Sequence, residues 1–263
     1  MPNDNFAPVI TAKADQLNVQ VYPNRSALGR AAGLEAAAYM RALLDTKPGI
    51  RMIFAAAPSQ NEFLETLIEA SGDLDWSRVT VFHMDEYIGL PQDAPQLFSR
   101  YVSERLFDRV KPGTIHLIDS GAEPEAECTR YSRLLAESPI DIVCLGIGEN
   151  GHLAFNDPPV ADFNDAALVK SVELDQVCRQ QQVNDGCFAT LAAVPTHAVT
   201  LTIPALMSGA RLFCMVPGVR KREAVRHTVD LEQPVSVSCP STILRQHPAC
   251  TLYTDVDAYG ETR

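Results

Sequence analysis

Short apolar runs alternating with helix-length stretches constrain this chain more than any other feature. Runs of β-branched and large apolar residues occupy 52–55, 79–82, 114–118, 140–145, 199–202, 212–216 and 250–253. Between most of them, apolar residues recur at helical spacing over 24–44, 59–70, 94–107, 123–135 and 220–229. The run at 140–145, Ile-Asp-Ile-Val-Cys-Leu, reads as a strand buried on both faces rather than one. Parallel neighbours need long crossovers that pack back over the sheet. The pattern therefore predicts an α/β fold: a single doubly wound, mostly parallel sheet with helices on both faces (Rossmann-like), forming one domain over 1–263. At 263 residues such a domain can bury a substantial core.

Charge and cysteine usage narrow the partners. Against 22 Lys+Arg stand 33 Asp+Glu, a formal net charge of −11. A surface of that sign repels nucleic acid, and the densest basic cluster, Arg220-Lys221-Arg222, is too short for a nucleic-acid footprint. No run of eighteen apolar residues argues for a membrane partner, and residues 1–7 lack the basic and apolar regions of a secretory signal. Seven cysteines, with no Cys-x-x-Cys pair, read as reduced thiols. The expected location is the cytoplasm. Neither a Gly-x-Gly-x-x-Gly opening an early helix nor a Walker lysine motif appears, so no nucleotide cofactor is expected. The six histidines show no His-x-x-x-His spacing, and no metal is expected either.

In open parallel sheets ligands bind at the carboxyl ends of strands, so the residues that follow each apolar run are the candidates for chemistry. Four ends carry suitable groups. After 79–82 comes His83-Met84-Asp85-Glu86-Tyr87, two adjacent carboxylates and a phenol. After 140–145 comes Gly146-Ile147-Gly148-Glu149-Asn150-Gly151-His152, where glycines let backbone approach a ligand beside an imidazole. After 52–55, small residues lead through Pro58, Ser59, Gln60 and Asn61 into a helix whose free N–H groups suit a phosphate or are simply capped by Ser59. After 212–216, Pro217-Gly218-Val219-Arg220-Lys221 brings cations to a similar corner. The polar segment 158–185 is either a cover over these strand ends or a long surface connection.

Two of these ends carry a resemblance that spans nearly the whole chain. Met84-Asp85-Glu86-Tyr87-Ile88-Gly89-Leu90 resembles the Met-Asp-Glu-Tyr signature of the glucosamine-6-phosphate deaminase (isomerase) family, within the group that includes 6-phosphogluconolactonases. The run from Gly146 through Gly151-His152-Leu153-Ala154-Phe155-Asn156-Asp157-Pro158 resembles that family's glycine–histidine signature, and 241–248 its C-terminal one.

The resemblance implies an enzyme that opens an amino-sugar 6-phosphate, moves a proton from C2 to C1 and hydrolyses the imine to release ammonia, with a sugar phosphate as its partner and no cofactor. Asp85 falls on the enolising base, and His152 on the proton shuttle at the ring oxygen. Asn150 and Asp157 fall on the groups that orient the histidine. Ser59 and Gln60 fall on the phosphate loop and Lys221 on the phosphate lysine, with Glu86 and Gly151 as further substrate contacts. The family's lid arginine falls near Gln182, and Arg179 is the nearest cation.

This chain departs from the pattern in three places. It has Asn150 where the family usually has Asp, Asp157 where it has Glu, and Ala57-Pro58-Ser59-Gln60-Asn61 in place of the usual Thr/Gly-rich phosphate loop. Galactosamine 6-phosphate as substrate, lactone hydrolysis, and a sugar-phosphate sensor that has lost the reaction are the alternative readings. Relatives include monomers and hexamers, which leaves a homo-oligomer open.

Overall fold

Met52 and Phe54 face one apolar core while Ile53 faces another, and Phe213 and Met215 alternate in the same way with Leu212, Cys214 and Val216. Strands buried on both faces keep no polar side, which is why these segments read as unbroken apolar runs. The computed structural model describes residues 7–260, so most of the segment used to judge a secretory signal lies outside the described residues.

In chain order the elements are β1 (Ile10–Ala14), β2 (Leu17–Tyr22), α1 (Arg25–Leu44), β3 (Ile50–Phe54), α2 (Asn61–Ala70), β4 (Val79–His83) and β5 (Asp85–Tyr87). Next, α3 (Phe98–Val102) runs through a π turn at Ser103–Phe107 into α4 (Asp108–Val110), followed by β6 (Thr114–His116), α5 (Pro124–Ala136) and β7 (Ile142–Leu145). The chain closes with β8 (Val169–Glu173), α6 (Gln176–Asn184), β9 (His197–Leu201), α7 (Ile203–Met207), β10 (Arg211–Val216), α8 (Arg222–Val229), β11 (Cys250–Asp255) and α9 (Val256–Tyr259).

Eight strands form the main sheet in the order β1-β2-β11-β10-β7-β3-β4-β6, parallel throughout except for the β1–β2 edge hairpin. Helices α1 and α2 cover one face through Leu28, Ala32, Met40, Phe63 and Leu67. The other face is covered by α5 and α8 through Cys128, Tyr131, Ala224 and Val225. From β3 the chain moves outward to β4 and β6, then returns to β7 on the opposite side of β3. That reversal opens a crevice at the carboxyl ends of β3, β4 and β7.

Two expectations need correction. The run at 199–202 belongs to β9, the middle strand of a separate three-stranded antiparallel sheet, β5-β9-β8, and not to the parallel sheet. The segment 158–185 holds β8 and α6, whose polar sequences gave no apolar run to detect.

Candidate active site

A cleft of about 330 Å3 opens at the strand reversal, and all four predicted strand ends line it. Asp85 and His152 border it together with Ser59, Gln60 and Lys221, although these residues are far apart along the chain. The small antiparallel sheet brings the first two together. Asp85 begins β5 only two residues after β4 ends, and its register partner is Thr200 on β9. Thr200 Oγ1 accepts from the Phe155 backbone N–H at 3.1 Å, and Asn156 Nδ2 donates to the Leu201 carbonyl at 2.8 Å. One strand thus grips both the carboxylate-bearing segment and the histidine loop.

Asp85 is 7% exposed. Burial pushes its carboxyl well above the ordinary aspartate range, and the nearby Glu86 and Asp157 carboxylates push it the same way. Glu86 does not line the cleft. It is fully buried and accepts from the backbone N–H groups of Tyr87, Phe98 and Ser99 at 2.8–3.1 Å, joining β5 to the start of α3. Burial raises the Glu86 carboxyl, but the His83 ring and the Ser99 hydrogen bonds outweigh that and bring it below the usual value. The substrate contact expected of Glu86 is replaced by a structural and electrostatic position behind Asp85.

The His152 side chain is fixed by Asp157, whose Oδ1 accepts from Nδ1 at 2.9 Å. A carboxylate partner makes Nδ1 the protonated nitrogen, which leaves Nε2 as the acceptor of the neutral ring. Burial raises the Asp157 carboxyl, but the His152 ring and hydrogen bonds from His152, Asn150 and Cys178 bring it below the ordinary value. Asn150 Nδ2 donates to the same Oδ1 at 2.8 Å, while Asn150 Oδ1 accepts from the His152 backbone N–H at 3.1 Å. An aspartate at 150 would set a second negative charge against Asp157 where the amide instead donates, so Asn150 and Asp157 are compatible as a pair. The shorter Asp157 still reaches the ring.

Two glycines shape this loop differently. A Cβ on Gly148 would lie 2.2 Å from His152 Nε2, so the ring occupies the space that a side chain would take. Gly151, with φ of +84°, turns the loop, but a Cβ there would meet Cys239 Sγ at 2.6 Å. It lies outside the cleft lining, and the substrate contact expected of Gly151 is not supported by its position.

The end of the cleft expected to hold an anion is built at two helix entrances. Ser59 and Gln60 occupy a 3-10 turn (Pro58–Gln60) leading into α2, with Gln60 Nε2 donating to Ser59 Oγ at 3.0 Å and to the Met215 carbonyl at 3.3 Å. Lys221 ends a second 3-10 turn (Val219–Lys221) after Gly218, whose N–H is held by Asp255. Burial lowers the Lys221 pKa, against the opposing pull of Asp185 and Glu149. Arg220 also lines the cleft, and it donates to the Asn184 carbonyl at 2.8 Å and to Asp185 at 2.9 Å.

Arg179 is not at this end. Its guanidinium donates to the carbonyls of Leu191 and Val194 and borders a different hollow, while Gln181, Gln182 and Asp185 of the same segment face the cleft. Segment 158–185 is therefore in part a cover, with glutamine and not arginine turned inward. Sequence reading missed Arg25, which lines the cleft and pairs with Glu62 at 2.6 Å, because a single arginine at a helix start carries no pattern. It also missed Thr200, a polar residue inside an apolar run. The C-terminal segment supports the site from outside: Ser241 N–H donates to the Gly151 carbonyl at 2.8 Å, and His247 Nε2 pairs with the Gly209 carbonyl.

Comparison with known proteins agrees with this fold. The family model for glucosamine-6-phosphate isomerases/6-phosphogluconolactonase matches residues 23–253. A glucosamine-6-phosphate deaminase of Exiguobacterium sp. (strain ATCC BAA-1283 / AT1b) is 40% identical over 183 residues, 69% of each chain. A protein of the same name from Bacillus thuringiensis (strain Al Hakam) is 37% identical over 187 residues, 70% of this chain and 68% of its own. Among solved structures, a monomeric glucosamine-6-phosphate deaminase of the NagB superfamily superposes with a TM-score of 0.82 at 29% identity, covering 91% of this chain and 98% of that one. A 6-phosphogluconolactonase from Thermotoga maritima shares the fold, with a TM-score of 0.72 at 21% identity, 91% of this chain and 99% of that one.

Proposed function

The chain belongs to the glucosamine-6-phosphate isomerase/6-phosphogluconolactonase family, and from that premise we propose that it isomerises and deaminates a hexosamine 6-phosphate, converting glucosamine 6-phosphate and water to fructose 6-phosphate and ammonia. The observation that carries this reading is the pairing of a buried carboxylate, Asp85, with a carboxylate-oriented imidazole, His152, in one cleft that also holds two helix entrances and Lys221. The names of the relatives support it.

The proposed steps need only acids and bases. His152 Nε2 faces the cleft as an acceptor, suited to take the anomeric hydroxyl proton and return it to the ring oxygen as the sugar opens. Asp85 then removes the C2 proton and delivers it to C1 while a proton passes from the amine to O1, turning the aldose amine into a ketose imine. Water adds to that imine, and ammonia leaves. A base for a carbon acid gains from a raised pKa, because a more basic carboxylate shares the proton more evenly in the transition state. Ser59, Gln60 and Lys221 would hold the phosphate, with Arg220 beside them.

The Met84-Asp85-Glu86-Tyr87 strand end ranks this reading above lactone hydrolysis. Among the described residues no helix is long and apolar enough to cross a membrane. All seven cysteines are unpaired, which supports a reducing compartment. The deciding experiment follows ammonia and ketose phosphate from glucosamine 6-phosphate and galactosamine 6-phosphate in parallel. Release from one of them is expected, and silence toward every 2-amino-2-deoxyhexose phosphate would defeat the proposal.

A further inference from the structure

Cys178, on α6, is 1% exposed and outside the cleft lining, and the proposed reaction makes no use of it. Its Sγ, a ring nitrogen of His152 and a carboxylate oxygen of Asp157 all lie within 4.8 Å of one another. His152 and Asp157 are themselves 8% and 1% exposed. Asp157 Oδ1 is occupied by Asn150 and His152, while Oδ2 is buried with no nitrogen or oxygen donor against it, the Cys178 thiol being the further group that hydrogen-bonds this carboxylate. Nitrogen, oxygen and sulfur donors therefore converge at one buried spot beside the cleft.

We infer that His152, Asp157 and Cys178 form a reversible inhibitory site for a zinc-type divalent cation. Imidazole, carboxylate and thiolate are the donors zinc takes, at roughly 2.0–2.3 Å, and tetrahedral ligation sets donor atoms roughly 3.3–3.8 Å apart. Three atoms already within 4.8 Å need to close by about 1.5 Å at most. The fourth position is left to water from the cleft, which His152 borders. On binding, the thiol releases its proton to solvent and the sulfur takes the metal. If Nδ1 is the ligand, the ring proton moves from Nδ1 to Nε2. The nitrogen that faces the cleft then donates instead of accepting, and the ring can no longer take a proton from the sugar.

The site shares two residues with the proposed reaction but does not rest on it, since metal uptake is read by absorbance. Titration of metal-free protein with cadmium alone is expected to give a thiolate-to-cadmium ultraviolet band that saturates at one ion per chain and is displaced by zinc. Cys178→Ala and Cys178→Ser each remove the band, Cys187→Ala keeps it, and Asp157→Asn weakens cadmium uptake by at least about tenfold. In the ammonia assay the zinc inhibition that a chelator reverses in the parent falls by at least about tenfold in Cys178→Ala, measured against that variant's own metal-free turnover. Absence of the band, its survival in both Cys178 variants, or unchanged uptake in Asp157→Asn would overturn the inference whatever the protein's activity.

Discussion

Asp85 costs the fold what it gives the reaction. Its carboxyl is held well above the ordinary aspartate range by burial and by Glu86 and Asp157. A raised folded-state pKa means that folding favours the protonated acid. That stability is complete below the unfolded-state pKa and is lost as the pH rises through the folded value, so the ionised carboxylate is a net strain. Asp85→Asn is expected to abolish ammonia release while raising the Tm at neutral pH by at least about 2 °C, roughly the shift that one kcal/mol produces in a chain of this size. A melting scan beside the assay tests both halves, and a Tm that fell would show the carboxylate to be stabilising. Activity should disappear as the pH falls through the raised Asp85 value. Glu86→Gln removes one neighbouring charge and keeps an oxygen for the Tyr87 and Phe98 amides, while the Ser99 N–H loses its acceptor. The acidic limb of kcat/KM should therefore move to lower pH. It moves only part of the way, because burial is the larger cause. An unmoved limb would show that the Glu86 charge does not reach Asp85.

Strands and loops decide whether these groups meet. Gly148 gives the sharpest test, since a methyl 2.2 Å from His152 Nε2 must displace the ring. Gly148→Ala should lower kcat by at least about a hundredfold, the scale of an ångström's misplacement, with an unchanged circular dichroism spectrum. Thr200→Val keeps the shape of β9 but leaves the buried Phe155 N–H without its partner. Urea unfolding should register a loss of about 1–3 kcal/mol, and activity should fall because the strip joining Asp85 to the histidine loop has loosened. The parallel sheet was legible because strands buried on both faces write continuous apolar runs. The β1–β2 hairpin was not: Leu17, Val19 and Val21 alternate with Asn18 and Gln20, so no run accumulates. β8 was equally silent, because the five residues Val169–Glu173 bury only two valines. Arg179 was misplaced for a related reason. Position along a polar segment suggested a lid cation, and only the packing shows its guanidinium spent on the Leu191 and Val194 carbonyls.

At the scale of the molecule, a chain of net charge −11 must gather cations to hold an anionic substrate. Arg25, Arg220 and Lys221 line the cleft, yet Arg25 is engaged by Glu62, and Arg220 by Asp185 and Glu149. Lys221 has no ion pair of this kind among the described residues, and burial lowers its pKa, so a bound phosphate would supply the counter-charge it lacks. The signature glycines and His152 made the half of the cleft proposed for proton transfer readable in advance. The other half was less so, because its Ala57-Pro58-Ser59-Gln60-Asn61 turn departs from the Thr/Gly-rich loop of the signature and Arg25 joins it from a separate helix. Inorganic phosphate should accordingly stabilise the protein. Near a hundredfold excess over its Kd the gain is about 2.7 kcal/mol, and at about 2–4 °C per kcal/mol that is a Tm rise of roughly 5–10 °C. Equal ionic strength of sodium chloride should give little of it, and Lys221→Ala should remove most of it while leaving the unliganded Tm close to the parent's. A full phosphate shift in Lys221→Ala would move the anion site away from this corner and onto Arg25 or Arg220.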